Sequence, residues 1–481
     1  MTPGLEDRDV VAALEEFAGL PDWLAGVMAP GRVAGALRGV VAEMPGPRIE
    51  VTGADIDRLR AKGDTWQVHC RVSVVRDGRP EDLVLVGQLL PPGSPSPPEG
   101  VAAPLGEAGW SCYLADLRLH LAVEVADAAL PALPSLVEAD RAVEVLQRSL
   151  REAGHDAEVV GCVPDVVRYK PGSRCTIVYR MQYRDGVPGP DPLVAKTHQG
   201  DKGRTAWEAM RALWAAPVAR SGVVTLAEPL AYLPEERVLI QGPVPEERTL
   251  RDLARDALTD VLTTGSSGSL AELREMLART AVALAALHGS GAQYGRVATW
   301  DEELAELRGV VARLATTVPR VGSAADPLLG RLADVHSSVP PDLLVSAHHD
   351  FRPAQVLLHG GQVGFIDFDG SCRAEPALDL GRFRAKLRDI GISAFSEAAR
   401  SGAGVLALED HLGLLDELCD DFLAEYQNHA SVTAPRVVLW ETTDLLTALL
   451  HAWTKVRTAR VAPRLAVLRH TLRTAPVFAM D

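Results

Sequence analysis

Two short runs, HHDFRPAQVLL from His348 to Leu358 and FIDFDG from Phe365 to Gly370, carry side chains spaced for phosphoryl transfer. Asp350 is followed five residues later by an amide, Gln355, and 17 residues later by a second acid, Asp367. A carboxylate such as Asp350 can take the proton of a hydroxyl nucleophile, and Gln355 with Asp367 offers oxygen donors to magnesium. Upstream, Lys196 ends an apolar strand, where an ammonium can grip phosphate oxygens, and Glu208 lies 12 residues on, in the next helix, able to hold that ammonium in place. The turn Pro171-Gly172-Ser173 is rich in small residues and can lay backbone N–H groups over phosphates. Asp369 reads either as a second metal ligand or as a turn former before Gly370. Isolated Asp, Lys and Gln are ordinarily solvated surface groups, but an ordered series of them points to one site.

These residues need rigid carriers, and the pattern supplies them. Val356-Leu357-Leu358 and Val363 to Ile366 read as strands on either side of a hairpin turn. The run from Val166 to Tyr183 reads as two strands around Lys170-Pro171-Gly172-Ser173, and Arg184-Asp185-Gly186 turns into a third, PLVAKT. Before them, Val143, Leu146 and Leu150 make one stripe of a helix from Asp140 to Ala153, stopped by Gly154. After them, Trp207, Met210, Leu213 and Trp214 share one side of a helix, and Arg237 to Gln241 is a further strand ending at Gly242-Pro243. From about residue 249 the spacing turns helical, with Leu270, Leu273, Leu277, Ala281 and Leu284 in step. The first third differs. Val10, Leu14 and Phe17 recur at helical spacing; Trp66 to Val75, Leu83 to Leu90 and Tyr113 to Val125 read as strands; Pro91 to Gly100 and Ala129 to Leu136 are Pro-rich loops. The expected division is a small α+β unit over 1–137, a β-rich lobe over 138–245 and a mainly helical lobe over 246–481. RVSVVRDGRP from Arg71 faintly echoes YRMQYRDGVP from Tyr179, with Gln88 where the second copy has Lys196.

Composition bounds the rest. The 481 residues are 47% hydrophobic and 23% charged, which suits a globular chain and excludes disorder. With 49 Lys and Arg against 64 Asp and Glu, the net charge of −15 argues against nucleic acid or an anionic membrane as the main partner. No stretch approaches the roughly 20 apolar residues of a membrane span, and a start with Glu6, Asp7 and Asp9 lacks the basic lead of a signal peptide, so a cytoplasmic location is expected. The six cysteines show no metal-ligand spacing and read as reduced core thiols.

From about Asp140 onward the chain resembles the aminoglycoside phosphotransferase and choline kinase-like family, whose fold is similar to that of protein kinases. The family's H-G-D-x-H-P-x-N loop and following D-x-D motif correspond to His348, His349, Asp350, Arg352, Pro353, Gln355, Asp367 and Asp369. The resemblance implies ATP and Mg2+ as cofactors, Asp350 as catalytic base, Gln355 and Asp367 as magnesium ligands and Lys196 as the phosphate-gripping lysine. It also implies that Gln241, Gly242 and Val244 belong to a hinge that meets adenine through its backbone, and that Asp379 braces the catalytic loop. Three positions depart from the pattern: His349 replaces Gly, Arg352 replaces His, and Gln355 replaces Asn. Maltokinase-like members also carry Gln there, together with an N-terminal cap that residues 1–137 can parallel.

The expected reaction is transfer of the γ-phosphoryl group to a hydroxyl of a small metabolite, an aminoglycoside-like amine, a sugar or an amino alcohol. A peptide Ser or Thr is the alternative acceptor, and a nucleotide-binding pseudokinase scaffold is the alternative of another class. In the family the acceptor lies against late helices. Here LDELCDDFLAEY puts Glu417, Asp421 and Glu425 on one helix face, with Asp416 and Asp420 alongside. Like charges at that spacing repel by a few tenths of a kcal/mol per pair, so the face is either solvated or compensated by a cation. Asp421 and Glu425 are the candidates to attract an amine-bearing acceptor.

Overall fold

A computed structural model describes residues 12–29, 31–43, 49–62, 65–95, 105–107, 110–123, 130–170, 172–184, 186–404 and 406–478. Val10 and Pro171, Asp185 and the 96–100 part of the Pro-rich stretch lie outside these residues. The chain divides into two compact units that cut across the three expected segments. One unit is 1–126 with 303–335 and 445–481; the other is 127–302 with 336–444.

In the first unit, helices α1 (Asp22–Val27) and α2 (Arg32–Glu43) precede strands β1 (Ile49–Lys62), β2 (Thr65–Arg76), β3 (Arg79–Leu89), β4 (Ser111–Leu114) and β5 (Leu119–Val123). They form one antiparallel sheet in the order β1-β2-β3-β5-β4. Strict alternation sets the register of β2, where Trp66, Val68, Cys70, Val72 and Val74 are buried. Asp77 and Gly78, both at positive φ, make the expected turn into β3. The expected strand from Tyr113 to Val125 is broken in two by a short 3₁₀ turn that ends with Arg118 at φ 54°. The edge strand β1 escapes the periodicity reading because its sequence, IEVTGADIDRLRAK, is dominated by charged and small residues.

The second unit begins with α3 (Leu133–Val137) and α4 (Ala139–Glu152), the latter stopped by Gly154 at φ 87°. Strands β6 (Val159–Lys170), β7 (Arg174–Tyr183) and β8 (Leu193–His198) follow, then α5 (Lys202–Ala215), β9 (Thr225–Leu226), β10 (Pro229–Leu233) and β11 (Val238–Gln241). The five-stranded sheet runs β10-β11-β8-β7-β6. Its core face buries Cys175, Ile177, Tyr179, Leu193, Ala195 and Ile240 against Leu146 and Leu150 of α4. Tyr179 donates from its hydroxyl to the Leu136 carbonyl at 2.7 Å, which ties α3 to the sheet. In α5 the buried side is Ala206, Ala209, Met210 and Leu213, whereas Trp214, expected on that side, is 36% exposed.

A helical lobe follows. It opens with β12 (Arg248–Thr249), α6 (Leu250–Thr264), capped by the Thr249 side chain, and α7 (Gly268–His288); α8 (Trp300–Ala315) and α9 (Pro319–Ser338) have residues in both units. Strands β13 (Val345–Ala347), β14 (Val356–His359), β15 (Gln362–Phe365) and β16 (Cys372–Ala374) then frame the expected strand-loop-strand region. Helices α10 (Ala377–Ser401), α11 (Leu408–Gln427), α12 (Ala434–Thr454) and α13 (Val461–Thr474) complete the chain, α12 again with residues in both units. The second unit is thus an α+β body of a β-rich lobe and a helical lobe. All six cysteines are buried thiols, and among the described residues no helix is long and apolar enough to cross a membrane.

Candidate active site

The candidate catalytic loop, 348–355, lies between β13 and β14, and one buried carboxylate shapes its start. Asp379, near the N-terminus of α10 and fully buried, accepts from the backbone N–H of His348 at 2.7 Å and of His349 at 2.8 Å. His288 Nε2 lies 3.1 Å away, and the other His288 nitrogen meets Tyr426 Oη at 2.8 Å. Burial alone would raise the Asp379 carboxyl, but His288 and His348 hold it below its ordinary value, so the brace is an anion. Those two amide hydrogen bonds are made with His349 at φ 73°, in the left-handed region. A glycine enters that region freely, whereas a residue with a Cβ does so at a cost. Arg382 of α10 donates to the His349 carbonyl and pairs with Asp444 of α12 at 3.1 Å.

His348 is fully buried, with Nε2 2.9 Å from the Ile366 carbonyl and its ring beside Phe351 and Phe368. It fastens the loop to the strand that delivers Asp367. The Ile366 N–H in turn donates to the Gln355 carbonyl at 3.1 Å. These bonds draw the three expected residues together: Gln355 Nε2 lies 3.2 Å from Asp350 Oδ2 and 3.2 Å from Asp367 Oδ2. Asp350 is half-exposed and paired with Arg352 at 3.2 Å, so it faces solvent with a guanidinium beside it.

Lys196 comes from β8 and meets the same acids, with Nζ 3.0 Å from Asp367 Oδ1 and 3.9 Å from Asp369 Oδ1. Burial would raise the Asp367 carboxyl, but Lys196 and then Arg174 hold it far below the carboxylate range; Lys196, lowered by burial, is raised above its ordinary value by Asp369 and Asp367. Asp369 takes partners that reading the sequence had missed: His198 Nε2 at 2.8 Å and Arg174 Nη1 at 3.3 Å. Arg174 and His198 were invisible as site residues because neither belongs to the motif, whereas Arg352 stands in the motif at the position of its second His. The signal that could have found the first two is strand alternation, since both lie opposite the core face of β7 and β8.

The remaining expectations have definite places. Glu208 is exposed on α5 and makes no ion pair among the described residues; the ammonium it was expected to hold is held by Asp367. Gly172 is at φ 65° and exposed. The Ser173 N–H closes its own turn onto the Lys170 carbonyl at 3.0 Å, and its carbonyl accepts from Gln199 N–H at 2.8 Å. Gln241 is buried at the end of β11, Gly242 N–H donates to the Glu228 carbonyl at 2.8 Å, and Val244 is half-buried. On α11 the cation that compensates the acidic row is internal. Arg274 of α7 pairs with Asp421, and with Glu417 at 2.9 Å. Glu425 meets His429 at 3.2 Å, while Asp416 and Asp420 pair with Arg388 and Arg384 of α10.

The residues fit a magnesium ion. Gln355 Oε1 is a buried oxygen with no hydrogen-bond partner among the described residues, and Nε2 of the same amide meets the ionised Asp367 at 3.2 Å. No group of three or more His, Cys, Asp and Glu that could hold a metal occurs among the described residues. A carboxylate and an amide suffice for Mg2+, which is usually held by one or two protein oxygens together with substrate phosphates and water.

Residues 208–415 match the sequence model of the phosphotransferase enzyme family. Among solved structures, the chain is similar to a choline/ethanolamine kinase family protein from Mesorhizobium loti (16% identity, TM-score 0.44, covering 69% of this chain and 96% of that one). It is similar also to a glucosamine kinase (16%, 0.45, 94% and 98%) and to a choline kinase from Streptococcus pneumoniae (12%, 0.42, 69% and 98%). No curated protein matches it in sequence. Residues 208–415, which include Glu208, Asp350, Gln355 and Asp367, are thus the part of the chain that is similar to the phosphotransferase enzyme family.

Proposed function

We propose that the protein transfers the γ-phosphoryl group of ATP, with Mg2+, to a hydroxyl of a small metabolite. The observation that carries this reading is the Asp350–Gln355–Asp367 constellation, joined by one amide and met from the β-rich lobe by Lys196. Asp350 orients the acceptor hydroxyl and takes its proton as the oxygen forms its bond to the γ-phosphorus and the bond to the β-phosphate oxygen breaks, leaving ADP. Gln355 and Asp367 would hold magnesium, which supplies charge neutralisation on the phosphates. Lys196 grips phosphate oxygens, the Gly172-Ser173 turn lies over them, and the segment from Gln241 to Val244 meets adenine.

The test is ADP release by the full chain with ATP and Mg2+ over sugars, amino sugars, amino alcohols, aminoglycosides and a Ser/Thr peptide. Asp350→Asn should lower kcat by about 10²- to 10⁴-fold on whichever acceptor reacts, because a general base is lost. Its affinity for the non-hydrolysable analogue AMP-PNP should stay at the wild-type value. Wild-type turnover by Asp350→Asn would overturn the assignment, and nucleotide binding without ADP release on any acceptor would favour a scaffold role.

A further inference from the structure

The sheet of the β-rich lobe has two faces with opposite chemistry. Cys175, Ile177 and Tyr179 of β7 and Leu193 and Ala195 of β8 point into the core, so the alternate residues Arg174, Thr176, Lys196 and His198 share the other face. The register confirms the grouping: Arg174 is opposite His198, and Thr176 is opposite Lys196 on one side and Arg168 of β6 on the other. This face meets Asp367 and Asp369. Lys196 takes Asp367 at 3.0 Å; Arg174 lies 3.3 Å from Asp369 and 4.0 Å from Asp367. Arg168 is close enough to sense both acids, and to be opposed by Arg174 and Arg352.

One lysine is all that the reaction proposed above asks of this face. The turn before β7 cannot supply Ser173 N–H to a phosphate while that group is bonded to Lys170, yet the next residue places a guanidinium directly on the acid pair. Guanidinium is the side chain whose planar fork suits phosphate oxygens, and Arg174 keeps 22% of its side chain exposed to solvent. We propose that Arg174 is a nucleotide-binding residue that engages the terminal phosphate of the triphosphate, exchanging its carboxylate partners for phosphate oxygens. The acid it shares with Lys196, Asp367, is joined through Gln355 to the base Asp350, so Arg174 stands at the reacting end of the nucleotide. Asp369, still held by His198, keeps its place during the exchange.

The inference rests on the phosphotransferase reading with ATP, and calorimetry on the full chain separates the two. AMP-PNP and ADP, each with Mg2+, are titrated into the wild type and into Arg174→Gln, Arg174→Lys and Asp369→Asn. Arg174→Gln should weaken AMP-PNP at least tenfold and ADP less than threefold, and Arg174→Lys should recover part of the loss. Asp369→Asn should leave the ratio of the two affinities near the wild-type value. Melting temperatures without nucleotide, matched across the variants, show that the fold is intact; if Arg174→Gln is not folded, Arg174→Lys and Arg174→Met carry the same comparison. Equal losses for both nucleotides, no loss, or an Asp369→Asn variant that copies Arg174→Gln would make Arg174 only a strut for Asp369. A wild type that binds neither nucleotide would remove the ATP reading, and this inference with it.

Discussion

His349 shows how much can hang on one backbone conformation. Holding a side-chain-bearing residue at φ 73° costs about 1–2 kcal/mol, offset here by two amide hydrogen bonds to Asp379. Replacing His349 by Gly relieves that cost but frees the unfolded chain by about 0.4–1 kcal/mol, so the two offset in part. His349→Gly should therefore change stability by no more than about 1.6 kcal/mol in urea unfolding and retain turnover within a few-fold. A larger loss in either measurement would assign the ring, whose Nδ1 lies 3.4 Å from Arg382, a role beyond the backbone. At this scale the sequence was readable where a motif fixed spacing: Asp350, Gln355, Asp367 and Lys196 converge as expected. It misled where one charge had two candidate partners. Lys196 sits with Asp367, close enough for a hydrogen bond, while Glu208 points to solvent from a helix with better-buried neighbours.

At the scale of elements, helix α10 is what the catalytic loop leans on, and buried charge fixes its place. Glu441 of α12, 1% exposed, receives Arg384 at 2.7 Å and Arg388 at 2.5 Å, and the same arginines reach Asp420 and Asp416 of α11. Burial would raise the Glu441 carboxyl, but the two guanidiniums hold it below its ordinary value of 4.5. A depressed native value means that its stabilisation is complete above the ordinary carboxylate range and is lost as pH falls through that lower value. Glu441→Gln leaves two buried cations short of an anion and should cost about 3–5 kcal/mol at pH 7. The gap in denaturant midpoint between variant and wild type should narrow below about pH 4; a constant gap would mean the network holds no ionised Glu441. This network also shows where the cations that compensate the acidic row of α11 come from. Charge spacing along one helix gives repulsion, but the compensating Arg274, Arg384 and Arg388 come from α7 and α10, at sequence distances that no local pattern registers. Strand alternation was more reliable, because β7 and β8 each have one face buried and one facing the site.

The whole molecule is less legible, since the first unit is assembled from three separated stretches of chain. Its parts touch early and late: Arg469 of α13 pairs with Glu15, and Arg320 of α9 donates to the Gly19 carbonyl, 301 residues away, at 2.5 Å. Residues 1–137 are therefore unlike an appendage that can be cut off. A fragment starting near Ser135 removes the sheet and leaves 303–335 and 445–481 without the rest of their unit, exposing apolar faces such as Val321, Leu328, Leu465 and Leu468. It should melt well below the full chain and aggregate in size-exclusion chromatography; a monomeric fragment of equal melting temperature would refute this. Interleaving also sets an order in time. Chains emerge from the ribosome at roughly 5–20 residues per second, N-terminal parts first. The sheet of β1 to β5 is made early relative to residues beyond 445, for which it must wait to complete its unit. For much of synthesis a nascent chain thus presents unfinished apolar surface, so slow translation or early termination should harm this protein first at its N-terminal sheet, the part furthest in sequence from the break.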